Sequence, residues 1–158
     1  MAASAHVFPD NLYFPSLATD DATLSGWVDK YLLQPSPIPN PATPLPHPKK
    51  LNTATVLICS HSSRDQRCGA YYPPLREEFE NVFRRKGLGG EVKIAATSHL
   101  SGHKFAGNVV VYLPEGWGVW YGRVGVGQVE GIVGETIVKG RVVGELARGV
   151  VGRELEVL

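Results

Sequence analysis

Apolar residues between positions 53 and 98 follow a strand, helix, strand order. Residues 53–60 form a largely β-branched apolar run, which is typical of a buried strand. A helical pattern follows, which we predict to start at Pro73 and Pro74 and to end at Gly87. Its apolar face consists of Leu75, Phe79, Val82 and Phe83. Residues 91–98 then predict a second strand.

The pattern continues with a hairpin and another helix. Residues 108–114 and 118–124 predict two strands joined by a tight glycine turn at 116–118. Residues 128–140 place apolar side chains at helical spacing, whereas residues 141–155 fit a strand or a helix equally well. The order βαβ, hairpin, helix is the thioredoxin-like α/β layout. We therefore expect a small mixed β-sheet with helices on both faces.

The first 50 residues predict an extension to a domain formed by residues 51–158. The extension contains an amphipathic helix whose candidate caps are Asp21 and Thr23. Its apolar face consists of Leu24, Trp27, Val28, Tyr31 and Leu32. We expect this face to dock on the domain, with an upstream domain or a second copy of the chain as the alternative. Residues 35–48 contain seven prolines and predict an extended linker, or a strap across the domain.

Composition narrows the function classes. The 158 residues carry 16 Lys and Arg against 15 Asp and Glu, so no electrostatic argument favours nucleic acid or an anionic membrane as the partner. No apolar run approaches the ~20 residues that span a bilayer. The N-terminus has neither a secretory signal nor a visible mitochondrial transit segment. We expect a protein that is not secreted, either cytosolic or lacking its natural start.

The candidate chemistry lies in two short segments. Cys59 and Cys68, the chain's two cysteines, bound the stretch CSHSSRDQRC, and His99 and His103 bound HLSGH. Cys59 ends the first strand, Cys68 lies in the loop before the helix, and the histidines follow the second strand. Because the carboxyl ends of adjacent parallel strands meet at one edge of a sheet, we expect all four residues to converge there.

Thiolate and imidazole together suggest a metal site. Three interpretations stay open: a zinc site, an iron–sulfur cluster and a thiol-disulfide oxidoreductase. Zinc, copper and iron–sulfur centres all use these ligands. A zinc knuckle has C-x2–4-C spacing, whereas here eight residues separate Cys59 from Cys68, a loop long enough to wrap a larger inorganic core. A thiol-disulfide oxidoreductase using these cysteines would normally carry C-x-x-C at the helix start. The fold position suits that chemistry, but the spacing does not.

Charged residues lie between the two cysteines. Arg64, Asp65 and Arg67 are either a solvated loop face or groups that orient the loop by hydrogen bonds. His61 is expected to be a loop residue or a neighbour of the ligands, because two better placed histidines exist.

Three stretches of the chain carry a resemblance to a known family. The segments CSHSSRDQRCG, SHLSGHKFAGNVVVYLPEGWGVWYGRV and VEGIVGETIVKGRVV resemble the sucrase/ferredoxin-like family across residues 53–149. The resemblance implies a thioredoxin-like ferredoxin domain with one [2Fe–2S] cluster and without the Rieske fold. It implies Cys59, Cys68, His99 and His103 as the ligands, with the cysteines on one iron and the histidines on the other. Ser101 departs from the usual H-x-G-G-H pattern but leaves these four residues in place.

The resemblance also implies a function. We expect an electron carrier that works with redox partner proteins, rather than an enzyme with its own substrate. Histidine in place of cysteine predicts an intermediate to high reduction potential, which falls as pH rises if the histidines lose protons. The family points to the mitochondrial matrix, with the cytosol as the alternative.

Overall fold

A computed structural model describes residues 1–33, 45–100 and 102–152, with the backbone alone for His103. The described strands and helices, in chain order, are β1 (Ala2–Val7), β2 (Leu12–Ala18), α1 (Asp21–Tyr31), β3 (Lys49–Lys50), β4 (Ala54–Cys59), α2 (Gln66–Lys86), β5 (Val92–Thr97), β6 (Val109–Leu113), β7 (Trp117–Tyr121), α3 (Val126–Ile132) and β8 (Ala147–Val151). The α3 helix continues as a π-helical segment, Val133–Val138, and short 3-10 turns form at His103–Phe105 and Gly144–Leu146. Among the described helices, none combines the length and apolar character that crossing a membrane requires.

A five-stranded mixed sheet with the order β5-β4-β6-β7-β8 organises the C-terminal region. Strands β4 and β5 are parallel neighbours, with Cys59 opposite Thr97, and the other pairs are antiparallel. The predicted βαβ unit and the β6–β7 hairpin are therefore confirmed. The segment that fitted a strand or a helix equally well becomes the edge strand β8 after a 3-10 turn.

Helices α2 and α3 cover one face of this sheet. Both contribute to the apolar cluster that also contains Val56, Ile58 and Val111, all fully buried. In this respect the structure differs from the expectation of helices on both faces. The described part of the β5–β6 connection holds only the 3-10 turn, so no helix crosses to the second face there. That face instead meets the N-terminal region, where Phe8 stacks on Tyr112 with ring centroids 4.2 Å apart.

The start of α2 was predicted wrongly. The helix begins at Gln66, not at Pro73, because the Asp65 side chain accepts a hydrogen bond from the Arg67 backbone N–H and caps it. Proline within a helix removes a backbone donor but keeps a helical φ, and the buried face that follows holds the helix together. Its predicted end is confirmed by Gly87, with φ 70°.

The N-terminal region contains more structure than the sequence predicted. The amphipathic helix is confirmed as α1, but its cap is Asp20 and neither of the candidates Asp21 and Thr23. The Asp20 carboxylate accepts from the Thr23 N–H at 2.9 Å. The helix packs through Trp27 against Phe14 of β2, in a separate apolar cluster. The three-stranded sheet β1-β2-β3 was not predicted, because β1 is rich in alanine and β3 has two residues. Most of the proline-rich stretch lies outside the described residues.

A buried hydrogen-bonded tyrosine gives a stability prediction. The Tyr121 hydroxyl lies 2.6 Å from the Thr136 hydroxyl and accepts from the Val143 N–H at 3.2 Å. Tyr121→Phe leaves both groups without this partner, so we expect a loss of about 1–3 kcal/mol in urea unfolding. Tyr71→Phe, at an exposed position, is the control and should be neutral. Equal stability of the two variants would contradict the prediction.

Candidate metal site

The carboxyl ends of β4 and β5 bring three of the four predicted site residues together. The sulfurs of Cys59 and Cys68 and one ring nitrogen of His99 all lie within 4.8 Å of one another. Cys59 is 2% exposed and Cys68 is 1% exposed, whereas His99 is half-buried. The expected meeting of the two loops is therefore confirmed for these three side chains.

Each of the three residues is positioned by a hydrogen bond that its backbone N–H donates. The Cys59 N–H donates to the Asn108 carbonyl at 3.0 Å, which fixes the end of β4 against β6. The Cys68 N–H donates to the Asp65 carbonyl at 3.0 Å, so this cysteine lies in the first turn of α2 and not in a loop. The His99 N–H donates to Nδ1 of His61 at 3.3 Å. His61 is thus the neighbour of a candidate ligand, one of the two roles expected for it.

The fourth predicted residue is located by its backbone. His103 begins the 3-10 turn after Gly102, whose φ of 72° is a left-handed conformation that favours glycine. The Phe105 N–H closes this turn on the Gly102 carbonyl at 2.8 Å. The side chain of His103 and all of Ser101 lie outside the described residues. That His103 completes the ligand set stays a prediction.

Asp65 organises the segment between the cysteines. Its side chain is 6% exposed, and both of its carboxylate oxygens accept from the Arg67 guanidinium, at 3.1 and 2.9 Å. The same carboxylate caps α2, whereas Arg64 is exposed. Asp65 and Arg67 therefore orient the turn that carries Cys68, which was one of the two roles left open by the sequence.

We expect the cap, more than the charge, to be the stabilising part of Asp65. Asp65→Ala removes the capping oxygen and should lower the free energy of unfolding by about 1–2 kcal/mol. Asp65→Asn keeps a good cap and should cost less than half as much, because the Arg67 partner is largely exposed and ion pairs there contribute little. Urea unfolding measures the free energy of unfolding of the two variants. Equal losses would mean that the charge of Asp65, and not its capping oxygen, provides the stabilisation.

The electrostatics of the site oppose thiol reactivity. Burial, then the hydrogen bond and the charge of Cys59, raise the pKa of Cys68 to about 11. At neutral pH only about one molecule in 10⁴ would then carry the thiolate. Reactive dithiols instead have lowered pKa values and open surroundings. A bound cation would supply the missing stabilisation of the thiolates, so the pair suits metal binding better than disulfide exchange.

The donor set itself fits a metal centre. Two thiols and an imidazole are the soft and intermediate ligands that zinc and iron–sulfur clusters use, and no carboxylate joins the group among the described residues. The strand end supplies one sulfur and the helix start the other, so the long spacing between the cysteines is bridged by the turn before α2.

Cationic side chains surround this edge of the sheet. The guanidinium of Arg148 lies 4.4 Å from the ring centre of Phe105, with Arg123 and Lys104 at 5.4 and 5.0 Å. A cleft of about 280 Å³ beside them is lined by Arg67, Lys104 and Arg123. Sequence reasoning missed this cluster, because its members are far apart in the chain and the net charge is only +1.

The fold and the Cys–Cys–His group are accompanied by a match to a known protein family. Residues 1–149 match the model of the sucrase/ferredoxin-like family, and the chain belongs to that family. Among its relatives are proteins named altered inheritance of mitochondria protein 32 from Clavispora lusitaniae and Meyerozyma guilliermondii, 50% identical over 94 residues and 45% identical over 96. Actin patches distal protein 1 of Saccharomyces cerevisiae is 42% identical over 94 residues.

These matches cover more of this chain than of its relatives. They cover 60%, 61% and 54% of this chain but 34%, 34% and 30% of the relatives, so the matched stretch is about a third of their length. A crystal structure of a thioredoxin-like [2Fe–2S] ferredoxin from Aquifex aeolicus superposes with a TM-score of 0.52 and 23% sequence identity. The superposition covers 63% of this chain and 99% of the ferredoxin, and it establishes the thioredoxin-like ferredoxin fold.

Proposed function

We propose that this chain binds one [2Fe–2S] cluster through Cys59, Cys68, His99 and His103 and serves as an electron-transfer protein. The observation that carries the proposal is the convergence of both sulfurs and a His99 nitrogen within 4.8 Å at the carboxyl ends of β4 and β5. The fold shared with a protein named as a [2Fe–2S] ferredoxin supports it. When bound, such a cluster supplies one-electron oxidation and reduction.

The residues have distinct roles in this proposal. Cys59 and Cys68 would hold one iron in the buried interior, and His99 and His103 would hold the other nearer the solvent. Neutral imidazoles leave the site less negative than four thiolates would, which favours the reduced state. Because His99 is half-buried while the cysteines are almost fully buried, electrons would enter and leave on the histidine side. The dependence of the potential on pH stays a prediction, which voltammetry from mildly acidic to alkaline pH tests.

A structural zinc site is the second candidate. Three donor atoms within 4.8 Å of one another also suit a single tetrahedral ion, for which metal–sulfur and metal–nitrogen distances are about 2.3 and 2.0 Å. Such a site would hold the two loops together without redox chemistry.

Metal analysis of protein purified without oxygen distinguishes the candidates. A cluster gives a red-brown protein with visible absorption and about two iron and two sulfide per chain. Zinc gives a colourless protein with about one metal ion per chain. A chain that binds neither, although folded by circular dichroism, would overturn both proposals.

The cationic cluster suggests the kind of redox partner. Lys104, Arg123 and Arg148 lie around the Phe105 ring, Arg67 lines the cleft beside them, and Arg64 is exposed between the two cysteines. We infer that the partner presents an acidic surface, because opposite charges raise the rate of encounter. For the compartment we propose the mitochondrial matrix, in line with the name shared by several relatives.

Small redox reagents test this surface without knowledge of the partner. Oxidation of the reduced protein by ferricyanide, an anion, should slow in Lys104→Glu and Arg123→Glu and with added salt. Oxidation by a cationic ruthenium ammine should not slow in these variants. Lys30→Glu, on the distant helix α1, is the control. Equal effects on both reagents would contradict the inferred surface.

A further inference from the structure

A second cavity lies between the N-terminal sheet and the helix-free face of the main sheet, and none of Cys59, Cys68 and His99 lines it. Its volume is about 580 Å³, within the range of small-molecule sites. His6, Phe8 and Tyr13 line it from the N-terminal side. The main sheet contributes Thr55, Leu57, Lys93 and Ala95. Nothing in the proposed electron-transfer function uses this space.

The cavity lies between aromatic side chains on the N-terminal side and strand side chains of the main sheet. Thr55 pairs with Lys93, and Leu57 pairs with Ala95, so these four side chains share the helix-free face. Opposite them, the His6 ring lies 4.6 Å from Tyr13 and 5.9 Å from Phe8, centre to centre. Aromatic and aliphatic walls of this kind favour a planar, apolar body.

The polar groups of the cavity select for a negative charge. Lys93 is exposed at the cavity wall, and no carboxylate in the described part of the chain lies within ion-pair distance of it. Burial, with a smaller contribution from the charge of Lys93, lowers the pKa of His6, which favours the neutral form of this neighbouring imidazole. Thr55 is 5% exposed, and its hydroxyl has no hydrogen-bond partner among the described residues.

We propose that this cavity binds a small planar aromatic molecule with one anionic group, of the aromatic carboxylate class. The ring lies between the N-terminal aromatic side chains and the floor formed by Leu57 and Ala95, and the carboxylate pairs with the Lys93 ammonium. Leu57 precedes Cys59 by two residues, about 7 Å along β4. The bound molecule is thus a near neighbour of the metal site.

Calorimetric titration with two matched probes tests the site. Naphthoate carries the aromatic body and the charge, and naphthylmethanol carries the body alone. We expect saturable naphthoate binding that weakens about ten-fold in Lys93→Met, which keeps the apolar stem, while binding of the alcohol changes less than two-fold. Lys139→Met, which removes an exposed lysine outside both the cavity and the cationic cluster, should leave naphthoate binding unchanged.

A filling variant and amide chemical shifts locate the binding. Ala95→Leu enlarges an exposed side chain on the cavity floor and should abolish the binding of both probes without unfolding the chain. Naphthoate should shift the amide resonances of β1, β4 and β5 at the cavity. No saturable binding, an unchanged naphthoate affinity in Lys93→Met, or shifts confined to other surfaces would each overturn the proposal. The test does not depend on which metal occupies the other site.

Discussion

Cys68→Ser is expected to yield a folded, colourless protein whose iron content is below about a tenth of that of the unmodified chain. The sulfur of Cys68 lies within 4.8 Å of the sulfur of Cys59, and no third cysteine exists to replace it. A serine hydroxyl is a hard oxygen donor with a high pKa, so it is a poor substitute for thiolate toward iron. Absorption spectra and iron analysis measure the loss.

Ser63→Ala in the same segment is the matched control, because its side chain is exposed. It should retain the full cluster. Far-ultraviolet circular dichroism separates loss of the ligand from loss of the fold. A Cys68→Ser protein that keeps its visible absorption and iron would remove Cys68 from the ligand set.

His103→Cys is expected to lower the reduction potential of the cluster, which is the second large effect. A thiolate in place of a neutral imidazole adds negative charge, so reduction becomes harder and the potential should fall by on the order of 100 mV. Clusters with four cysteines lie near −400 mV, whereas Rieske centres with two histidines lie between about −150 and +300 mV. Protein-film voltammetry at fixed pH gives the shift.

His47→Cys, at an exposed position outside the site, controls for the added thiol. Its potential should equal that of the unmodified protein. An unchanged potential in His103→Cys, with the cluster intact, would mean that His103 is not a ligand. The prediction matters because the His103 side chain was placed in the ligand set by its motif alone.

The convergence of the site was predictable because it follows from topology. Once residues 53–60 and 91–98 are parallel neighbours, their carboxyl ends must meet, and Cys59 and His99 lie just there. The start of α2 was less predictable, because Pro73 and Pro74 resemble a helix start more than the capping residue Asp65 does. The local sequence pattern favoured a helix start at the prolines. In the structure, the Asp65 cap and the buried helix face place the start at Gln66 instead.

Other features have no local signature. The cationic cluster joins four residues from different parts of the chain: Arg67 of α2, Lys104 of a 3-10 turn, Arg123 after β7 and Arg148 of β8. Strand β1 has an alanine-rich sequence of low strand propensity and exists through its pairing with β2. Neither feature follows from a window of neighbouring residues.

The two cysteines and the histidine pair lie on backbone of different character. Cys59 ends a central strand and Cys68 begins a long capped helix, so both are anchored in the apolar core. His99 and His103 lie in the connection between β5 and β6, whose described part holds one 3-10 turn. Local opening should therefore release the histidines at a lower free energy than the cysteines. In the proposed metal site, release of the metal would begin on the histidine side, and a partly opened intermediate would keep its sulfur ligands.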